Sequence, residues 1–193
     1  MSGDVHVRFC ERLGVQFPRA THLVVLVDGH LRQCRLRAAV ERRLREELAT
    51  LQVEVNEEKS RRVDLTQGES FGFLGFEFRR IRSQRGRWMP LRTPRMKKRT
   101  ALLRTLKQIF RSHRSRPISK VIAQINPILR GWVHYFAVGH SSRCFSYIRD
   151  GVEKKIRHHL VRASQRHGFG WKRWNTAWLY GTLGLFHEYR VAY

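Results

Sequence analysis

The spacing of apolar positions changes along the chain, and with it the element predicted. Residues 23–29, "LVVLVDG", form a short apolar run closed by Asp-Gly, the pattern of a buried strand entering a turn. In the following "LRQCRLRAAVERRLREELATL", Leu36, Val40, Leu44, Leu48 and Leu51 recur every three or four residues, which predicts an amphipathic helix. "VEVNEEKSRRVDL" reads as two short strands around a polar turn. In "GESFGFLGFEFRRI" the period is two, at Phe71 and Phe73 and again at Phe76 and Phe78, while Gly72 and Gly75 allow a bend or a close approach. "RSQRGRW" predicts a hairpin turn around Gly86.

After "PLRTPRMKKRT" the period is helical, so a boundary is expected near residues 90–94. Leu102, Leu103, Leu106, Ile109 and Phe110 share one helix face, with Arg104, Lys107 and Arg111 on the other. Ile118, Val121, Ile122 and Ile125 predict the next helix, capped by Ser115 or Ser119. Pro127 disfavours a helix interior, so Asn126-Pro127 predicts a fresh helix carrying Leu129, Trp132, Val133 and Phe136 inward. Gly139 would end it and Ser141 would cap a third helix, striped by Phe145, Ile148, Val152, Ile156 and Leu160. "HGFGWKRW" breaks the pattern, and "NTAWLYGTLGLF" predicts a last helix. The fold class expected is α+β: a small β-rich part with one helix, then an all-α bundle.

Composition adds an adequate core, since 41% of the 193 residues are apolar. No apolar run reaches the roughly 18 residues of a membrane span, and "MSGDVHVRFCERLG" lacks the pattern of a secretory signal. Cys10, Cys34 and Cys144 are odd in number and far apart, which points away from disulfides and toward a reducing, cytoplasmic setting.

Charge changes the picture more. Residues 1–77 hold 12 Lys/Arg and 12 Asp/Glu; residues 78–193 hold 27 and 3, so the whole excess of +24 lies in the second part. From Phe78 to Arg149 there are 19 cations and no carboxylate. Solvated surfaces ordinarily mix both signs. A body this basic repels itself unless a polyanion neutralises it, and phosphate binding releases condensed counterions. Nucleic acid is therefore the expected partner.

The densest cluster, "RTPRMKKRT", supplies Arg92, Arg95, Lys97, Lys98 and Arg99 at a helix start, where free backbone amides also favour phosphate; simple helix solubility is the competing reading. Contacts are expected to extend to Arg104, Arg130 and Arg143. All five tryptophans lie in the basic part. Bases stack on aromatic rings and guanidinium planes, which suits RNA loops and single strands. Trp132, Phe136 and Phe145 sit on apolar stripes and are read as core. Trp171, Lys172, Arg173 and Trp174 follow Gly168 and Gly170 in a loop, and contact and core remain equally open for them.

Other chemistry finds little support. His158 and His159 are adjacent and face different sides of a helix, and His134 and His140 lack a carboxylate nearby in sequence. The motifs GxSxG, HExxH and GxxxxGK[ST] are absent, and Asp28 reads as a turn residue beside Gly29. No metal site and no cofactor are expected.

"QINPILRGWVHYFAVGHSSRCFSYIRDGVEKKIRHHLVRASQ" resembles the maturase-specific domain, domain X, of group II intron-encoded proteins. "VNEEKS" followed by "FGFLGFEF" resembles the last two blocks of the reverse transcriptase domain of the same proteins. The resemblance spans about residues 23–193. It implies a non-matching segment 1–22, the C-terminal part of a polymerase palm over 23–92, and the thumb or domain X over 93–193. Phe73, Leu74, Gly75 and Phe76 would form a primer-grip-like hairpin, and Lys59 matches the lysine of the "NEEK" block. In the family a Tyr-Ala-Asp-Asp motif precedes the strand resembling "LVVLV", and its carboxylates hold the Mg²⁺ ions that catalyse polymerisation. Arg19, Ala20, Thr21 and His22 stand there in this chain.

The resemblance implies an RNA-binding maturase fragment that assists group II intron RNA in folding and splicing, without catalytic residues of its own. Its charge would tolerate duplex DNA as well. A degenerate remnant without a selected role, or a residual component of an RNA-directed DNA polymerase, are the alternatives. No zinc endonuclease domain and no membrane partner are expected, and oligomeric state has no signature in the sequence.

Overall fold

The computed structural model describes residues 23–27, 34–165 and 167–192. Helix α1 (Cys34–Thr50) is followed by a short 3-10 turn (Leu65–Gln67). An antiparallel sheet of β1 (Ser70–Phe73), β2 (Phe76–Arg82) and β3 (Trp88–Pro94) comes next. Then come three helices, α2 (Met96–Ser112), α3 (Ile118–Phe136) and α4 (Ser142–Ala163), and a short π turn (Trp178–Thr182). The α+β class is as expected.

One core joins the helices, the sheet and the C-terminal segment. Leu102 and Leu106 of α2 meet Val121, Ile122, Ile125, Leu129, Val133 and Phe136 of α3. Phe145, Ile148, Val152 and Ile156 of α4 complete the helical part. Spacings of three and four residues keep each set on one helical face. Leu179, Leu185 and Phe186 close the core from the C-terminal side, and Phe76 enters it from the sheet.

Helix α3 corrects the expected break at Pro127, because it runs unbroken from Ile118 to Phe136 with the proline inside. A proline at 127 has no N–H for the carbonyl of Ala123. Burial of Ile125, Leu129 and Val133 on both sides of it outweighs that loss. Asn126, beside it, works for another segment: its Nδ2 donates to Gly184 O (2.8 Å), and its Oδ1 accepts from Phe186 N (3.0 Å). That clamp fastens the C-terminal segment over α3.

Several other local expectations change. Neither Ser115 nor Ser119 caps α3, because Pro117 holds the N-cap position. Ser141 does hold the N-cap position of α4, but its hydroxyl makes no cap bond. The last predicted helix shrinks to the π turn, and residues 184–191 continue without regular structure.

In the N-terminal part, residues 23–27 form no strand, and Leu26 is 66% exposed. The two short strands expected around 53–65 are also missing. A strand needs a partner edge, and among the described residues none is offered there. Helix α1 forms as its spacing requires, yet Leu36 and Leu51 of its stripe are exposed and none of the stripe joins the core. Exposed ion pairs line it instead, Arg43–Glu47 (2.5 Å), Arg45–Glu41 (3.2 Å) and Arg62–Glu41 (2.5 Å). The Arg62 hydrogen bond lowers the pKa of the Glu41 carboxyl. Such exposed pairs each contribute little to stability. No described helix is long and apolar enough to cross a membrane.

Candidate nucleic-acid interface

The β1–β2 turn, the start of α2 and the end of α3 converge. Leu74 (φ +47°) and Gly75 (φ +81°) are both left-handed, the geometry of a two-residue hairpin turn. Gly75 O accepts from Arg95 N (2.9 Å), and the Tyr135 hydroxyl donates to Leu74 O (2.7 Å). The Arg95 guanidinium lies against Gly72, where a Cβ would stand only 2.5 Å from its Cζ. Lys98 flanks the turn, its Cε 3.6 Å from where a Cβ on Gly75 would sit.

Arg92 forms a second joint. Its guanidinium lies 5.6 Å from the centre of the Phe76 ring. Its carbonyl accepts from His140 N (2.8 Å), and its N–H donates to His140 Nδ1 (3.3 Å). Gly139 permits this with φ +92°, since a Cβ there would meet Arg92 O at 2.9 Å. Arg99 stacks over Tyr147 at 4.4 Å.

The structure therefore brings Arg92, Arg95 and Lys98 around one hairpin turn, while Arg99, one position further along α2, lies over Tyr147 of α4. Lys97 and Arg104 are exposed on α2, Arg130 on α3 and Arg143 in the first turn of α4. Of the hairpin residues, Phe76 is buried at 9% exposure, Phe73 is half-buried, and Leu74 alone projects outward. The cations occupy the first turns of α2 and α4, where no acidic residue is present. The helix dipole disfavours a cation there by about 0.3–1 kcal/mol each. An anion would reverse that cost.

A further cluster had no signature in the apolar pattern. Lys155 of α4 has a lowered pKa, first by burial and then by Lys107 and Arg111 of α2. Its only sequence signal is the i, i+4 spacing of Lys107 and Arg111 on the polar face of α2. Tyr135 and Tyr147, both about half exposed, are additional aromatic surfaces. Tyr147 lies off the stripe of Phe145, Ile148 and Val152, and that displacement is the signal that could have found it.

The loop after α4 divides. Trp174 is 9% exposed, so the indole offers no stacking face and belongs to the fold. Its carbonyl accepts from Arg157 Nε (2.9 Å). Arg157 is buried, pairs with Glu153 (3.0 Å), and lies 4.2 Å from the centre of the Trp171 ring. Tyr180 donates to the other Glu153 oxygen (2.7 Å). Lys172 and Arg173 are exposed, and Arg173 stands 5.7 Å from the Trp174 ring centre. Trp132, Phe136 and Phe145 pack together as core, as expected. His158 is exposed while His159 is buried against Arg116 O (3.2 Å), so the two do face apart. Asp28, Cys10 and residues 19–22 lie outside the described residues.

Burial, with the Glu153 hydrogen bond next, raises the phenol pKa of Tyr180; burial does the same for Tyr189. Raised folded values favour the neutral phenols. Their contribution to stability is complete below the unfolded value of about 10 and is lost as pH rises above it. Denaturation midpoints followed by circular dichroism should fall above about pH 10, and less steeply in a Tyr180→Phe, Tyr189→Phe variant. Equal slopes in the two proteins would contradict this assignment.

Residues 99–178 match the family model described as group II intron, maturase-specific domain. The match covers α2 nearly from its start, all of α3 and α4, and the loop carrying Trp171 and Trp174. It supports a maturase domain over this part of the chain. No curated protein matches the chain.

Proposed function

We propose, on the premise of a maturase domain over residues 99–178, that the chain binds folded group II intron RNA and assists its splicing. The cation cluster around the β1–β2 turn and the start of α2 would hold phosphates. The observation that carries this reading is the lack of counter-charge. Among the described residues, every ion pair lies on α1 and its neighbours or in α4. None involves Arg92, Arg95, Lys97, Lys98, Arg99 or Arg104. RNA phosphates would neutralise these groups and also relieve the crowding of Lys107, Arg111 and Lys155.

We read the sheet and α1 as the end of a polymerase palm, on the strength of "VNEEKS" and of "FLGF" at the β1–β2 turn. With Thr21 and His22 where the family has its aspartate pair, the chain would not polymerise DNA unaided. Intron RNA is preferred over duplex DNA as the ligand because the matched domain is an intron-maturase domain.

Binding of a labelled, folded group II intron RNA should weaken steeply with salt. If six to ten phosphates are contacted, affinity falls roughly 10³–10⁵-fold between 50 and 200 mM salt. The triple variant Lys97→Ala, Lys98→Ala, Arg99→Ala should weaken binding and make the log–log salt slope shallower by about three. Affinity independent of salt would overturn the proposal, as would intron splicing unaffected by added protein.

A further inference from the structure

The β2–β3 hairpin carries a second group of cations and rings, outside the matched domain and apart from the α2 cluster. Arg79, Arg80, Arg82, Arg85, Arg87 and Trp88 lie within ten residues. Register explains how they meet. Arg82 pairs with Trp88 and Arg80 with Pro90, so Arg80, Arg82 and Trp88 share one face of the sheet. Arg80 and Trp88 are diagonal neighbours there, and the Arg80 guanidinium lies 4.7 Å from the indole centre.

The same face continues inward as a ladder of planes. Phe78 stands opposite Arg92, and Arg92 lies over Phe76, which is rooted in the core. Phe71 stacks on Phe78 at 5.0 Å and 9°. This one face thus runs from buried Phe76 to Trp88, which is 55% exposed.

The tip is held in shape. Ser83 N donates to Arg87 O (2.8 Å) and Gly86 N to Ser83 O (2.9 Å), with Gly86 at φ +76°. Arg82 Nε donates to Gly86 O (3.2 Å). Arg85, Arg87 and Trp88 line a shallow depression with Ser83, Gln84 and Met89. No described carboxylate forms an ion pair with any of these arginines.

From this geometry we infer that the β2–β3 hairpin is a binding site for unpaired RNA, with a base stacked on the Trp88–Arg80 platform and adjacent phosphates on Arg85 and Arg87. A preformed ring and guanidinium pair offers a π-face to any base, and the shallow tip admits a single strand. Duplex bases are already stacked on one another and cannot use it. The inference rests on the proposed RNA binding and adds to it a site selective for unpaired nucleotides.

The test uses the full chain and three probes: a single-stranded oligouridylate, a blunt RNA duplex, and heparin, which has charge but no bases. Trp88→Ala should weaken oligouridylate binding roughly 5- to 150-fold, the range expected for losing one stacked base, and leave heparin and duplex binding unchanged. Trp88→Phe should retain most of the affinity. Arg85→Ala with Arg87→Ala should weaken all three probes. If Trp88→Ala leaves oligouridylate binding intact, or weakens heparin binding equally, the hairpin is no stacking site. Folded-intron binding through Lys97, Lys98 and Arg99 would survive that outcome. Loss of both would instead implicate the functional reading itself.

Discussion

Glu153→Ala is expected to cost about 3–5 kcal/mol of folding stability, because it strands the Arg157 guanidinium in the interior. Arg157 is among the largest fully buried side chains. Its charge is met by Glu153 at 3.0 Å, its Nε by Trp174 O, and its face by the Trp171 ring. Taking the carboxylate away leaves the cation desolvated and also removes the acceptor of the Tyr180 hydroxyl. Replacing both members apolarly should cost far less, since a buried pair often does little better than well-packed apolar groups. The expected order of urea midpoints is therefore wild type, Glu153→Leu with Arg157→Met close behind, and Glu153→Ala lowest. A single variant as stable as the double would contradict the pairing. In a region with so few acids, this carboxylate serves the fold rather than a ligand. It fastens the Trp171–Trp174 loop to α4 and so sets where Lys172 and Arg173 emerge.

Phe76→Ala should have the next largest effect, about 3–5 kcal/mol for a buried aromatic truncated to alanine. Phe76 meets Phe136 edge-on at 5.0 Å, Tyr135 at 6.1 Å and the Arg92 guanidinium at 5.6 Å. It is the residue of the sheet that is buried within the shared core. Amide exchange should accordingly quicken most across residues 70–94, while Val121, Ile125, Leu129 and Ile148 keep their protection. Those four are fully buried and sit on α3 and α4 rather than on the sheet. Uniform loss of protection across sheet and helices would show instead that the whole molecule opens together. Limited proteolysis of the wild type offers a parallel check, with the residues from 93 onward expected to survive longer than 23–92.

The helical half was legible because local spacing and final burial agree there. The stripes of α2, α3 and α4 are the faces that the core occupies, and the aromatic residues read as structural, Trp132, Phe136 and Phe145, do pack inward. Pro127 misled because its local cost is real while its compensation is not local. Ile125 and Leu129 are held by a core assembled from other helices, and the clamp from Asn126 reaches residues 184–186, some 60 residues away. The strands expected at 23–27 and 53–65 failed for the opposite reason. A strand has no internal hydrogen bonds, so apolar composition alone cannot make one without a neighbouring edge.

The candidate interface divides in the same way. The charge excess and its separation from the acids are countable in the chain, and so is the cluster from Arg92 to Arg99. Which rings remain open to a ligand is not countable. Trp171 and Trp174 stand three residues apart in one loop, yet one indole is exposed and the other is buried. Trp88 became a candidate only once the β2–β3 register set Arg80 diagonally beside it.

Sequence alone determined the electrostatics and the helical period, because charge and i, i+3, i+4 spacing belong to the chain wherever it folds. Tertiary structure alone decided which strands found partners, that α3 runs through its proline, and which arginines lie on aromatic rings. Those outcomes depend on contacts between residues distant in the chain, and their free energy exists only once the core has brought the partners together.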